Sequence, residues 1–243
     1  MPDDAPAPDE AAADQPPAYR QHRFTAPPGA TELILVRHGE SEPAVPGRPF
    51  PTVGGNGDPA LSPEGREQAA KVCARLASEH IDAIYVTKLR RTHETAANLA
   101  LTSGLTPIVD PDLHEVHLGE WEGGALRWHA AQGHPLFLKM LEEERWDVIP
   151  GAEPQDEFAA RVRRGVERIA AAHPDQRVAV FVHGGVIAEI LSQATGSRRF
   201  AFAGADNASI SHLVVAGDRW ILRRFNDTAH LDGHLSVAAE PPT

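Results

Sequence analysis

The chain has 243 residues, enough for one large α/β domain or two small ones. Hydrophobic residues make up 42% and charged residues 23%, an ordinary globular balance, and a net charge of −11 excludes the basic surface that nucleic acid requires. The single cysteine, Cys73, excludes an intramolecular disulfide and a cysteine-rich metal site, and is expected to pack as a small hydrophobe. No apolar run reaches bilayer-spanning length and no basic-then-apolar start marks a secretory signal, so a cytoplasmic protein without a membrane partner is expected.

Residues 1–30 are rich in Pro, Ala and acids and poor in large apolar groups, which predicts a disordered tail; 237–243 reads the same way. Between them, 31–236 shows neither repeats nor an interdomain linker and reads as one domain. Leu33-Ile34-Leu35-Val36 is a run expected of a strand buried on both faces, and it ends at Arg37-His38-Gly39-Glu40. In open α/β sheets ligands gather past the carboxyl ends of strands, which puts Arg37 and His38 where chemistry is done. Gly39 is read as allowing a sharp turn and keeping bulk away from a bound group. Taken alone, such a junction equally fits a solvated loop.

The next stretch, 42–60, is dense in Pro and Gly and long for a connection, so it reads as a functional or mobile loop. Its Gly54-Gly55-Asn56-Gly57 run does not follow a strand and is given no nucleotide role. Ser62-Pro63-Glu64 then signals a helix start, with a hydroxyl N-cap and proline at the first position. A second strand is expected over 81–86, followed by Thr87 to Thr92 and a helix through Leu101. Residues 107–109 read as a brief strand. The irregular, acid-rich run from Leu113 to Gly123 suits a pocket wall. Helices are predicted over about 124–146 and 154–172, their apolar stripes (Trp128, Phe137, Leu138, Leu141, Trp146 on the first) assigned to core.

A second strand of the first kind decides the question left open at Arg37. Arg177 to Val182 is fully apolar after its first residue and ends at His183-Gly184-Gly185, where a helix opens. Backbone N–H groups at a helix start, unobstructed by side chains, make an anion site. If these two strands are neighbours, both imidazoles face one crevice. Arginines bind phosphoryl oxygens bidentately and disfavour protonation of a nearby imidazole, leaving it nucleophilic. A carboxylic acid could then protonate a departing alkoxide and later activate water. Such a scheme needs neither metal nor cofactor. Ser209–Val215 and Trp220–Phe225, separated by Gly217-Asp218, read as a hairpin adding antiparallel strands at one edge. The fold class expected is α/β: a mainly parallel, doubly wound sheet with helices on both faces.

These motifs resemble the histidine phosphatase superfamily, the phosphoglycerate-mutase-like group. Arg37-His38-Gly39-Glu40 is similar to its nucleophile motif, which implies that His38 is phosphorylated and Arg37 binds phosphate. Thr87-x-Leu89-x-Arg91-Thr92-x-x-Thr95-Ala96 resembles its second motif, with Thr87 where serine is usual, and makes Arg91 rather than Arg90 the phosphate ligand. Leu113-x-Glu115-x-x-x-Gly119-x-Trp121-Glu122-Gly123 resembles the segment whose first glutamate, Glu115, donates the proton. Val182-His183-Gly184-Gly185 resembles the second-histidine motif, in which the backbone of Gly184 also faces phosphate. Two departures stand out. Ala44 occupies a loop position where the family carries a phosphate-binding asparagine, leaving Ser41 or a residue of 45–60 to replace it. The short run from Glu115 to His183 resembles the broad-specificity phosphatases rather than the mutases.

The resemblance therefore implies a metal-independent phosphomonoesterase acting on a small phosphorylated substrate, with a mutase or a phospho-ligand-binding module as alternatives. It is compatible with a homodimer, although no stretch identifies an interface. His93-Glu94-Thr95-Ala96-Ala97 misses the zinc helix motif at Ala97, and His114-Glu115-x-His117 implies no ligand geometry. His80, His129, His134, His212 and His230 are read as surface or loop residues. Arg48, Arg127, Lys139 and Arg145 are candidates for the pocket mouth, without a sequence signal for which of them points inward.

Overall fold

The computed structural model describes residues 19–231; most of the predicted N-terminal tail and all of the C-terminal one lie outside them. Residues 19–30 carry no helix or strand, and Phe24 packs beneath the Arg223 guanidinium at 3.9 Å.

Six strands form one sheet. In chain order they are β1 (Thr31–Arg37), β4 (Ala83–Val86), β5 (Ile108–Val109), β6 (Arg177–Val182), β7 (Ile210–Ala216) and β8 (Arg219–Asp227). Their spatial order is β5-β4-β6-β1-β7-β8. The first four are parallel; β7 and β8 are antiparallel and form the edge hairpin expected from Gly217-Asp218. The apolar runs of β1 and β6 are thus explained by position, since both are central and covered on each face.

Alternation along these strands divides the core. Leu33, Leu35, Val178 and Val180 face α5 (Gln155–Ala172) and α6 (Gly184–Thr195), meeting Phe158, Val162, Val166 and Ile190. Ile34, Val36 and Phe181 point the other way, onto Val72, Leu76, Ala96 and Leu99 of α1 (Pro63–Leu76) and α2 (Arg90–Ser103). Each fully buried aliphatic or aromatic side chain contributes about 1.5–3 kcal/mol to this packing. The start of α1 follows its sequence signal: Ser62 Oγ accepts the N–H of Gly65 at 3.0 Å, with Pro63 in the first helical position. Cys73 is buried in the second of these layers.

Three expectations are corrected. The 42–60 stretch contains a miniature hairpin, β2 (Thr52–Val53) and β3 (Asn56–Gly57), turned by Gly54 and Gly55, both at positive φ (53° and 86°). The diglycine thus serves the two-residue turn that needs φ > 0 twice. The single helix over 124–146 is two, α3 (Ala125–Ala131) and α4 (Pro135–Glu143), because Gly133 takes φ +61° and Pro135 opens a new helix capped by His134. On α4, Phe137 and Met140 face inward while Leu138 and Leu141 are 55% and 39% exposed, so the core stripe assigned there was half right. Finally, His212 sits within β7 beside Glu32 and His129 within α3 against Trp121, neither in a loop. Among the described residues no helix is long and apolar enough to cross a membrane.

Candidate active site

Parallel pairing of β1 with β6 sets Arg37 opposite Val182, so the next residue on each strand leaves the sheet at the same level. The N–H of His38 still bonds the Val182 carbonyl at 3.0 Å. The two imidazoles consequently stand side by side, ring centres 5.3 Å apart and planes inclined at 60°. His38 is 6% exposed and His183 is fully buried.

Each ring is held by one nitrogen. His38 Nδ1 lies 2.7 Å from the carbonyl of Gly39, which can only accept, so Nδ1 carries the proton and Nε2 holds the free lone pair. His183 Nε2 meets Thr87 Oγ1 at 2.9 Å, and its Nδ1 is buried without a hydrogen-bond partner. Thr87 is the residue standing where serine is usual in the resembling motif, and its hydroxyl is what reaches His183.

A cavity of about 110 Å³ opens beside His38, lined by Arg37, Arg91, Glu115 and Arg127 among others. Arg91 is 7% exposed and donates to the Gly57 carbonyl at 2.9 Å, whereas Arg90 faces solvent, as the motif alignment implied. Arg37 donates to the carbonyl of Ala205 and lies against the start of α6, where a Cβ on Gly184 would meet its Nε at 3.5 Å. Burial lowers the pKa of Arg91 to about 10, which still leaves it charged at neutral pH. Burial first, and then the charges of Arg91 and Arg37, hold His38 well below the usual histidine value. His183 is held down likewise, by burial, Arg91 and His38. Both rings are therefore neutral at pH 7.

Glu115 opens onto this cavity, yet enough protein surrounds its carboxyl that desolvation raises its pKa; N–H donation from Val116 and Gly185 and the charge of Arg91 oppose the rise. Oε1 accepts from Val116 N–H at 3.0 Å and Oε2 from Gly185 N–H at 3.3 Å. Its backbone is pinned from both sides. Arg161 of α5 donates to the carbonyls of Asp112, His114 and Glu115 while paired with Glu153 at 2.6 Å. Asn56 of β3 donates to the carbonyls of Glu115 and Val116, both at 3.2 Å.

The structure thus brings Arg37, His38, Arg91, Glu115, His183 and Gly184 to one place. Ala44 packs beside Gly124 and Phe50. Phe50, Asn56, Gly57 and Pro59 of the 45–60 stretch line the cavity, and so does Arg127 of α3, whose guanidinium donates to Ser41 Oγ at 2.6 Å and the Glu42 carbonyl at 2.8 Å. Arg48 and Lys139 are exposed, and Arg145 pairs with Asp147 at 2.8 Å. Asn56 and Arg161 carried no sequence signal: one lay in a loop, the other on a charged helix. Gly39 has a different reason from the one expected. Its φ is not positive; a Cβ there would overlap the carbonyl of Gly65, and one on Gly65 would overlap the backbone of Glu40, so the paired glycines let the loop after β1 press onto α1. His114, kept out of the cavity, has its pKa pushed down to about 4 by burial and Arg161.

Residues 33–228 match the family model for the histidine phosphatase superfamily, branch 1. The chain belongs to that superfamily. It is 32% identical over 209 residues to a metal-independent phosphoserine phosphatase of Arabidopsis thaliana, covering 83% of each chain. To phosphoglycerate mutase-like protein 4 of the same plant it is 32% identical over 205 residues, 83% of this chain and 87% of the relative. Among solved structures, mycobacterial glucosyl-3-phosphoglycerate phosphatase superposes with a TM-score of 0.69 at 30% identity, over 82% of this chain and all of that one. The expected fold, a mostly parallel sheet of the phosphoglycerate-mutase-like kind, is the one found in these relatives.

Proposed function

We propose that this histidine phosphatase family member is a metal-independent phosphomonoesterase working through a phosphohistidine on His38. The observation that carries this reading is the pair of neutral imidazoles 5.3 Å apart at the level ends of β1 and β6, with His38 facing a pocket that Arg37, Arg91 and Glu115 also line. Its relatives named as phosphatases support hydrolysis, as does the short segment between Glu115 and His183.

A dianionic phosphoryl group fits against Arg37, Arg91 and Arg127, which fork onto its oxygens. His38 Nε2, its lone pair exposed by the Nδ1–Gly39 bond, attacks phosphorus. The P–O bond to the alcohol breaks, and the leaving oxygen takes a proton from Glu115, whose carboxyl burial favours in its protonated form. The arginines and His183 hold the equatorial oxygens as charge redistributes. Glu115, now a carboxylate, accepts a proton from water as that water attacks the phosphohistidine; inorganic phosphate leaves and His38 is restored. Backbone donation from Val116 and Gly185 steadies the carboxylate in that second half.

The test is to mix the protein briefly with a labelled phosphate ester in the presence of chelator and quench in alkali. An alkali-stable, acid-labile phosphoryl group that vanishes in His38→Ala, together with all turnover, is the expected result. Undiminished turnover in His38→Ala overturns the reading.

A further inference from the structure

Beside the phosphate cavity lies a second one of different character, about 90 Å³. Arg37, Glu115, Leu118 and Leu126 line both, so the two meet at the proton donor. Beyond that shared edge the walls are apolar: Phe137 and Met140 of α4, Trp146, Ala188 of α6, and Phe200. Trp146 and Phe200 lean together with ring centres 5.0 Å apart. Of the side chains lining this second cavity, only Arg37 and Glu115 carry charge. The aromatic and aliphatic residues that read as plain core in the sequence are therefore partly the walls of a chamber.

Direction matters as much as composition. A Cβ placed on Gly185 would come within 2.6 Å of Glu115 Oε1 and 3.5 Å of the Trp146 indole, so acid and aromatic wall converge on one point of the helix start. The cationic cavity is filled by groups suited to phosphoryl oxygens. The leaving oxygen must reach Glu115, and the carbon chain behind that oxygen then has the apolar chamber in front of it. An ammonium, a carboxylate or a row of hydroxyls placed there would lose its hydration without finding partners.

Resting on the phosphatase reading, we infer that this chain selects phosphate monoesters of apolar alcohols, aryl or branched alkyl, whose hydrocarbon occupies the chamber bounded by Phe137, Met140, Trp146 and Phe200. Amino-acid and sugar phosphates are poor substrates. The specificity differs in kind from that named for the phosphoserine and glucosyl-phosphoglycerate phosphatases to which the chain is similar.

The test uses straight-chain alkyl phosphates from ethyl to hexyl, whose alcohols have nearly equal acidity, with O-phospho-L-serine alongside. Burial of each methylene predicts a rise in kcat/KM of about fourfold per carbon until the chamber is full. Phosphoserine falls at least about tenfold below propyl phosphate, its charged groups being unpartnered in the chamber. Ala203, an exposed residue at the chamber's rim, supplies the positional control: Ala203→Phe lowers the hexyl-to-ethyl ratio at least about fivefold, the loss of roughly one methylene's burial or more. A flat or falling series, phosphoserine matching propyl phosphate, or an unchanged ratio in Ala203→Phe overturns the inference while leaving the phosphatase reading intact. Failure of every ester to phosphorylate His38 overturns both.

Discussion

Glu115 hangs its carboxylate on the first turn of α6, Oε2 3.3 Å from the N–H of Gly185, and that residue has no side chain to stand in the way. Glu115 and the histidine that precedes the helix are thereby fixed to the same few atoms of backbone. The helix start also supplies partial positive charge that favours the carboxylate form of this side chain.

Gly185→Ala isolates this contact. The added Cβ would overlap Glu115 Oε1, yet φ at this position is not positive and alanine is the better helix former. We expect kcat to fall about 10²-fold, comparable to losing one positioned transition-state group, with KM little changed. The melting temperature, followed by circular dichroism, should hold or rise. Activity equal to wild type would mean the carboxyl does not depend on this seat.

Thr87→Val removes the hydroxyl on His183 Nε2 while keeping shape. A buried imidazole nitrogen left without a partner costs about 1–3 kcal/mol, and a ring free to swing should lower kcat about tenfold or more. Thr87→Ser, which restores the hydroxyl, should recover most of the rate in steady-state kinetics. Equal rates for the valine and serine variants would remove Thr87 from the machinery.

Arg127→Gln should raise KM for every phosphate ester and lower kcat/KM about 10–100-fold, the worth of a charge-assisted pair. Inorganic phosphate as a competitive inhibitor should weaken in parallel. The same substitution at Arg48, which is exposed, should leave both constants alone. Identical inhibition constants in wild type and Arg127→Gln would sink this assignment.

The buried histidines predict a pH dependence of two kinds. Because His38 titrates well below 6.5, this ring should add no inflexion of its own near pH 6.5, and the acid limb that its protonation puts on kcat/KM should lie lower. Arg91→Gln removes the largest charge holding that pKa down and should move the acid limb upward. For stability, the folded pKa lies below the unfolded one, so between them the unfolded chain binds more protons. Folding free energy should therefore decline as pH drops below about 6.5, by about 1.4 kcal/mol per pH unit for each such histidine. Urea unfolding at pH 7, 6 and 5 measures this, and His183→Gln should flatten the slope.

How much of this was legible beforehand follows from range. The two apolar runs, each broken by His-Gly, are local signals: a strand buried on both faces must be apolar throughout, and a strand end must turn. Ser62-Pro63 and Gly217-Asp218 are local in the same sense, and each produced the element expected of it. Where a second local signal lay inside a run of good helix formers, as at Gly133-His134-Pro135, the apolar period hid it.

The sequence by itself determined the sheet's two central strands, the histidines and arginines at their ends, and the family those motifs share. Only the tertiary structure decided which distant groups complete the site. Arg127 rather than Arg48 enters the cavity, Asn56 and Arg161 clamp the loop of Glu115, and Phe137, Met140 and Trp146 bound a chamber as well as a core. Periodicity reports which face of an element is apolar, but a side chain's partner is set by how separate elements dock, and no spacing along the chain encodes that angle.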